Sequence, residues 1–147
     1  MFEERTIIYF DPFYFKNGNR AKPKYFVVLK NQNDQNVLAS LPTRTDSIPA
    51  KEEIDKGCLE LPEINLNCFV FLSSCIITEC EKTFDFKTHI YGHQLDVYET
   101  EFLREIYPIE GTDYFIWGIM KEDLFESLIN CLKTSKSVKR KYKKLLA

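Results

Sequence analysis

The run Lys24-Tyr25-Phe26-Val27-Val28-Leu29-Lys30 has few places to go in a folded chain. Its apolar residues are consecutive, β-branched or aromatic for the most part, and carry no stripe of helical period. Extended, the segment is apolar on both faces, which fits a strand in the interior of a sheet. The loop that follows, Asn31-Gln32-Asn33-Asp34-Gln35-Asn36, is rich in side chains that satisfy turns by themselves. Residues 37–41 (Val-Leu-Ala-Ser-Leu) then read as the returning strand of a hairpin. Residues 6–10 (Thr-Ile-Ile-Tyr-Phe) supply an earlier strand, expected to end at Asp11-Pro12.

Residues 16–20 form a polar turn, and residues 45–56 a polar loop containing Pro49. Residues 68–78 read as one or two buried strands broken at Ser73-Ser74, and Phe84 and Phe86 alternate as in a short edge strand. Over residues 99–107 the spacing changes to a helical one. Phe102, Leu103, Ile106 and Tyr107 share a face, with Thr100 in capping position. Residues 114–119 are a further strand. Residues 121–132 form the clearest helix, with Leu124, Phe125, Leu128, Ile129 and Leu132 on one side and Glu122 and Asp123 in the first turn. Val138, Tyr142, Leu145 and Leu146 carry the stripe on, so residues 121–147 are expected to be a helical C-terminal segment docked on the body. Short strands, tight loops and terminal helices predict a mainly β chain, a single domain over 1–147 built as a β-barrel with appended helices. Closing the sheet would remove the edges of such apolar strands.

At 147 residues the chain suffices for one hydrophobic core. With only 5 glycines and neither a GxGxxG nor a GxxxxGK pattern, it lacks a Gly-rich phosphate cradle. The net charge of −2 conceals an asymmetry: seven basic and no acidic residues follow from Lys133 on, leaving the first 132 residues at −9. A basic tail reads either as a contact for nucleic acid or an acidic partner, or as a solvated helix end. No apolar run approaches the roughly 18 residues of a membrane span, and the acidic start Met1-Phe2-Glu3-Glu4-Arg5 does not resemble a leader. An odd number of cysteines, 5, fits reduced thiols, and a soluble cytoplasmic protein is expected. His89 and His93 lack the cysteine spacing of a zinc site, so no metal or other cofactor is expected. The carboxylates Glu52-Glu53-Asp55 and Glu99-Glu101-Glu105 read as solvated faces, and the aromatic run from Phe10 to Phe15 as core or as a base-stacking surface.

The chemistry-bearing groups gather at the ends of two strands. Arg20, Lys22 and Lys24 flank the start of the interior strand, and Pro23 fixes the backbone beside Lys22. Thr43 and Arg44 follow the returning strand, so a simple hairpin brings both sets to neighbouring strand ends. RNA cleavage without a metal uses the 2′-OH as nucleophile, a proton donor for the leaving 5′-oxygen, and groups that stabilise phosphorane charge. A cation and a hydroxyl can supply the last two. Solvated strand ends are the plain structural alternative.

At these residues the sequence resembles the MazF/PemK (Kid) toxins of toxin–antitoxin systems. Lys22-Pro23-Lys24-Tyr25-Phe26-Val27-Val28-Leu29 stands where that family has an Arg-Pro step entering an apolar strand. Ala39-Ser40-Leu41-Pro42-Thr43 stands at its next strand, and the segment from Phe115 through Gly118 to Leu124 at its final strand, glycine and Leu-rich helix. The resemblance implies an SH3-like barrel with a C-terminal helix, usually a homodimer, that cleaves single-stranded RNA without metal and is inhibited by a cognate antitoxin. It implies that Lys22 transfers the proton and that Thr43 hydrogen-bonds the transition state. Arg20, Lys24 and Arg44 are added as RNA contacts. The chain departs from the pattern in having lysine for the arginine, which are not equivalent where bidentate phosphate contact matters, and in lacking the family's Gly-Glu element. A non-catalytic SH3-like binding module for a protein or nucleic acid is the alternative expectation.

Overall fold

A computed structural model describes residues 2–41, 57–73, 75–84 and 87–147. Among these residues eight strands and three α-helices follow one another as β1 (Thr6–Phe13), β2 (Lys22–Gln32), β3 (Gln35–Ser40), β4 (Gly57–Leu61), β5 (Leu66–Phe71), β6 (Thr88–Tyr91), β7 (Leu95–Glu99), α1 (Thr100–Ile106), β8 (Tyr114–Ile119), α2 (Glu122–Lys133) and α3 (Arg140–Leu146). The strands make a five-stranded sheet in the order β7-β3-β2-β1-β8 and a three-stranded sheet in the order β4-β5-β6. Every ladder is antiparallel. The fold is therefore mainly β, as the sequence predicts, but among the described residues the two sheets remain separate and no closed barrel forms. The expected closure is not seen because β7 and β8, the outer strands of the large sheet, do not pair with each other; the outer side of β8 is met instead by the segment at Thr78 and Glu79.

The apolar run of β2 does lie at the centre of the large sheet. Val27 and Leu29 point to one face and Phe26 and Val28 to the other, and all four are buried. The first face joins Val37, Ala39, Phe69, Phe71 and Ile90 with Phe125, Leu128 and Leu132 of α2. The second joins Ile8, Phe10, Phe13, Leu38 and Tyr98 with Leu103 and Tyr107 at α1. Each fully buried Leu or Phe stabilises the fold by about 1.5–3 kcal/mol through surface removed from water. The hairpin is tighter than the loop expected over residues 31–36. Asn33 and Asp34 take φ of 53° and 61°, the left-handed pair of a two-residue turn, so both strands run on to Gln32 and Gln35.

Several other expectations are revised. β1 does not stop at Asp11-Pro12; it continues to Phe13 across a register shift, a place where a strand tolerates proline. β6 and β7 are short and pair across longer connections, so neither stands out from residue pattern. Phe84 is not in a strand: it stacks on Trp117, centroids 4.4 Å apart and planes 2° apart. Phe86, Ser74 and the loop at 45–56 lie outside the described residues. Thr100 is the first helical residue rather than the cap; its hydroxyl accepts a hydrogen bond from Asn36 Nδ2 at 2.9 Å. Phe102 faces solvent at 43% exposure while Leu103 and Tyr107 are buried, because α1 is too short to bury a wider face.

Two devices hold the C-terminal helices. Cys58 on β4 is bonded to Cys131 on α2, with Cα atoms 5.7 Å apart, which corrects the expectation of five reduced thiols. Spacing could not show that these two cysteines, 73 residues apart, meet. Cys68, Cys75 and Cys80 are in no disulfide, and burial pushes the Cys68 thiol up to about 12. The second device is Glu60, which accepts from Ser135 Oγ at 2.7 Å, the Lys136 amide at 2.7 Å and Asn67 Nδ2 at 3.1 Å. Ser135 Oγ in turn accepts from the amides of Ser137 and Val138, and Lys143 Nζ donates to the Ser135 carbonyl at 2.8 Å. Val138, Tyr142 and Leu146 are buried, so the basic tail is docked through its apolar stripe as the sequence predicts. No helix among the described residues is long and apolar enough to cross a membrane.

Candidate functional site

The alternation of β2 puts Lys22, Lys24 and Phe26 on one face. Their register partners are Phe13 and Phe10 on β1 for the two lysines and Ser40 on β3 for Phe26. Leu38 pairs with Asp96 on β7, so Ser40, Asp96 and Tyr98 belong to the same face. This is the face packed by α1, and beyond the end of that helix's cover it opens into a cleft of about 330 Å³. Phe13, Phe15 and Tyr98 give it aromatic walls, Lys24 and Asp96 its charges, Ser40 a hydroxyl, and His93 an exposed imidazole from the turn Gly92–Gln94.

The chain between β1 and β2 is fastened across this opening. Lys16 Nζ donates to Asp96 Oδ1 at 3.1 Å and to the Val97 carbonyl at 2.6 Å. The same ammonium lies 4.1 Å from the centroid of the Tyr98 ring, a cation–π contact. Asp96 Oδ1 also accepts the Val97 amide at 2.8 Å. Burial, then the Asp96 charge beside it, pushes the Tyr98 phenol above its usual range, so it stays neutral. Within the connection, Gly18 adopts φ of 79°, and Asn17 Oδ1 accepts the Asn19 amide at 3.0 Å. This turn leads the chain back towards Arg20 and β2.

Of the sequence-derived site residues, Lys24 lines the cleft and is half-buried, while Arg20 and Lys22 are exposed on the approach to it. The Lys22 ammonium is 6.0 Å from the centre of the Phe15 ring, which brings it to the mouth. Thr43 and Arg44 lie outside the described residues; β3 ends at Ser40, and the Leu41 amide donates to the Tyr25 carbonyl at 3.0 Å. The aromatic run from Phe10 to Phe15 divides its duties. Phe10 and Phe13 belong to the core, Tyr14 is 55% exposed, and Phe15 is half-buried at the cleft. Sequence reasoning missed Lys16, Ser40, Asp96 and Tyr98. Ser40, Asp96 and Tyr98 had only strand alternation as a signal, and Lys16, in the connection between β1 and β2, had none. His89 and His93 are separate in role: His89 is buried on β6 with its ring stacked on Tyr91, and His93 is exposed.

The described residues define a mainly β fold of two antiparallel sheets and three α-helices, with an aromatic cleft that carries Lys24 and Asp96 at the end of the larger sheet. No family model, curated protein or solved structure matches the chain.

Proposed function

We propose that this chain is a divergent MazF/PemK-like toxin, a metal-independent endoribonuclease acting on single-stranded RNA. The observation that carries the reading is the placement of Lys22 and Lys24 on one face of β2, at the mouth of a cleft with aromatic walls. Single strands are held by cations along the backbone and by aromatic rings under unstacked bases. In the reaction the 2′-oxygen gives its proton to solvent and attacks phosphorus, and the 5′-oxygen leaves. The products carry a 2′,3′-cyclic phosphate and a 5′-OH. Lys22 protonates the leaving oxygen, and Thr43 hydrogen-bonds the phosphorane; Arg20, Lys24 and Arg44 hold phosphates. On this reading the two sheets are an opened SH3-like barrel, and the homodimer and the cognate antitoxin come with the resemblance.

The test is incubation of the purified protein with a long single-stranded RNA in EDTA. Discrete products are expected, and Lys22→Ala and Thr43→Ala should each reduce their rate by 10²-fold or more, the scale of a lost acid or charge stabiliser. RNA left intact by the wild type would refute cleavage. A second reading, a non-catalytic binding module, is favoured by one feature: β8 leaves Phe115, Ile116 and Ile119 exposed at the sheet edge, as a protein-binding surface would. Intact RNA together with retained RNA or protein binding would support it.

A further inference from the structure

One polar group at the cleft has no partner among the described residues. Ser40 is 6% exposed, and its Oγ has no hydrogen-bond partner. A hydroxyl in that position has lost its water without gaining a partner, a cost that alanine on the same strand would avoid. It lies on the same face as Phe26 and Tyr98 and lines the same cleft.

We propose that the cleft holds one unstacked nucleobase of the bound RNA and that the Ser40 hydroxyl reads the edge of that base. The inference rests on the RNA reading given above and names what its site selects. A volume of about 330 Å³ stands at the small end of ligand sites, enough for one nucleotide and too little for paired strands. Phe15 and Tyr98 offer ring faces, but stacking accepts every base and cannot by itself discriminate. Discrimination needs a hydrogen-bonding group. Asp96 Oδ1 is already engaged by Lys16 and by the Val97 amide, and Lys24 is a point charge suited to phosphate. Ser40 can both donate and accept, and nothing among the described residues uses either capacity.

The experiment measures fluorescence anisotropy with four labelled 2′-fluoro RNA pentanucleotides that differ only in the central base, so that no cleavage intervenes. The wild type is expected to separate best from worst by about tenfold, the scale of one hydrogen bond to a buried group. Ser40→Ala should bind all four at the level of the worst, with a melting temperature no lower than that of the wild type. Phe15→Leu should weaken all four by a similar factor. A wild-type preference that survives in Ser40→Ala overturns the inference and leaves RNA binding intact, as does equal wild-type affinity for all four. A marked loss of thermal stability in Ser40→Ala assigns the hydroxyl to the fold and also overturns it. Failure of the wild type to bind any of the four overturns the RNA reading itself.

Discussion

Removing the Cys58–Cys131 bond tests the account of how the C-terminal helices are held. The bond closes a loop of 73 residues and joins β4 to α2. In the chain-entropy description, a cross-link of that span withholds enough freedom from the unfolded chain to stabilise the fold by about 4 kcal/mol. That is a large part of the roughly 5–15 kcal/mol typical of whole domains. The cleanest comparison is oxidised wild type against Cys58→Ala/Cys131→Ala in urea, with reduced wild type as a control of unaltered composition. The variant should lose about 4 kcal/mol and melt roughly 10–15 °C lower. Its urea dependence should steepen, because the unlinked unfolded chain exposes more surface. Thiol titration in denaturant without reductant should find three thiols, those of Cys68, Cys75 and Cys80, which are in no disulfide. Five titrating thiols, or a variant within about 1 kcal/mol of the oxidised protein, would refute the reasoning.

Two further substitutions probe the same region. Burial alone would raise the Glu60 carboxyl, but hydrogen bonds from Ser135, the Lys136 amide and Asn67, with the charge of Lys143, hold it below 4.5. A depressed carboxylate stabilises the fold above its unfolded pKa, and that share is lost as pH falls through its folded pKa. Glu60→Gln should cost about 1 kcal/mol at neutral pH and flatten the acid side of the stability profile below about pH 4.5; an unchanged profile would count against the network. At Gly92, an added Cβ would come within 2.7 Å of both Asn67 Oδ1 and Val138 Cγ2. Both neighbours are held, Asn67 by Glu60 and the Cys131 carbonyl and Val138 by burial. Gly92→Ala should therefore destabilise by about 1–3 kcal/mol in chemical denaturation, and a neutral result would show that this packing yields.

How much of the site could be read in advance follows from the range of the interactions. Lys22 and Lys24 were legible, because a cation next to Pro23 and an apolar run marks a strand entrance whatever the strand pairs with. Ser40 lies in the apolar segment Ala39-Ser40-Leu41 without a local signal of its own, since only the register with Phe26 shows that its hydroxyl is buried beside the cleft. Asp96 and Lys16 are 80 residues apart, and no local pattern announces their pairing.

The sequence by itself determined the interior position of β2, the hairpin after it, the strand β8 and the amphipathic α2 and docked α3. Each is a matter of apolar spacing and turn chemistry within about a dozen residues. Tertiary structure decided the rest: that the sheets stay apart instead of closing, that β6 and β7 are strands at all, that Cys58 meets Cys131, and that a cleft opens where the cover of α1 ends. Those outcomes depend on which remote segments share a face, and period and propensity carry no information about partners.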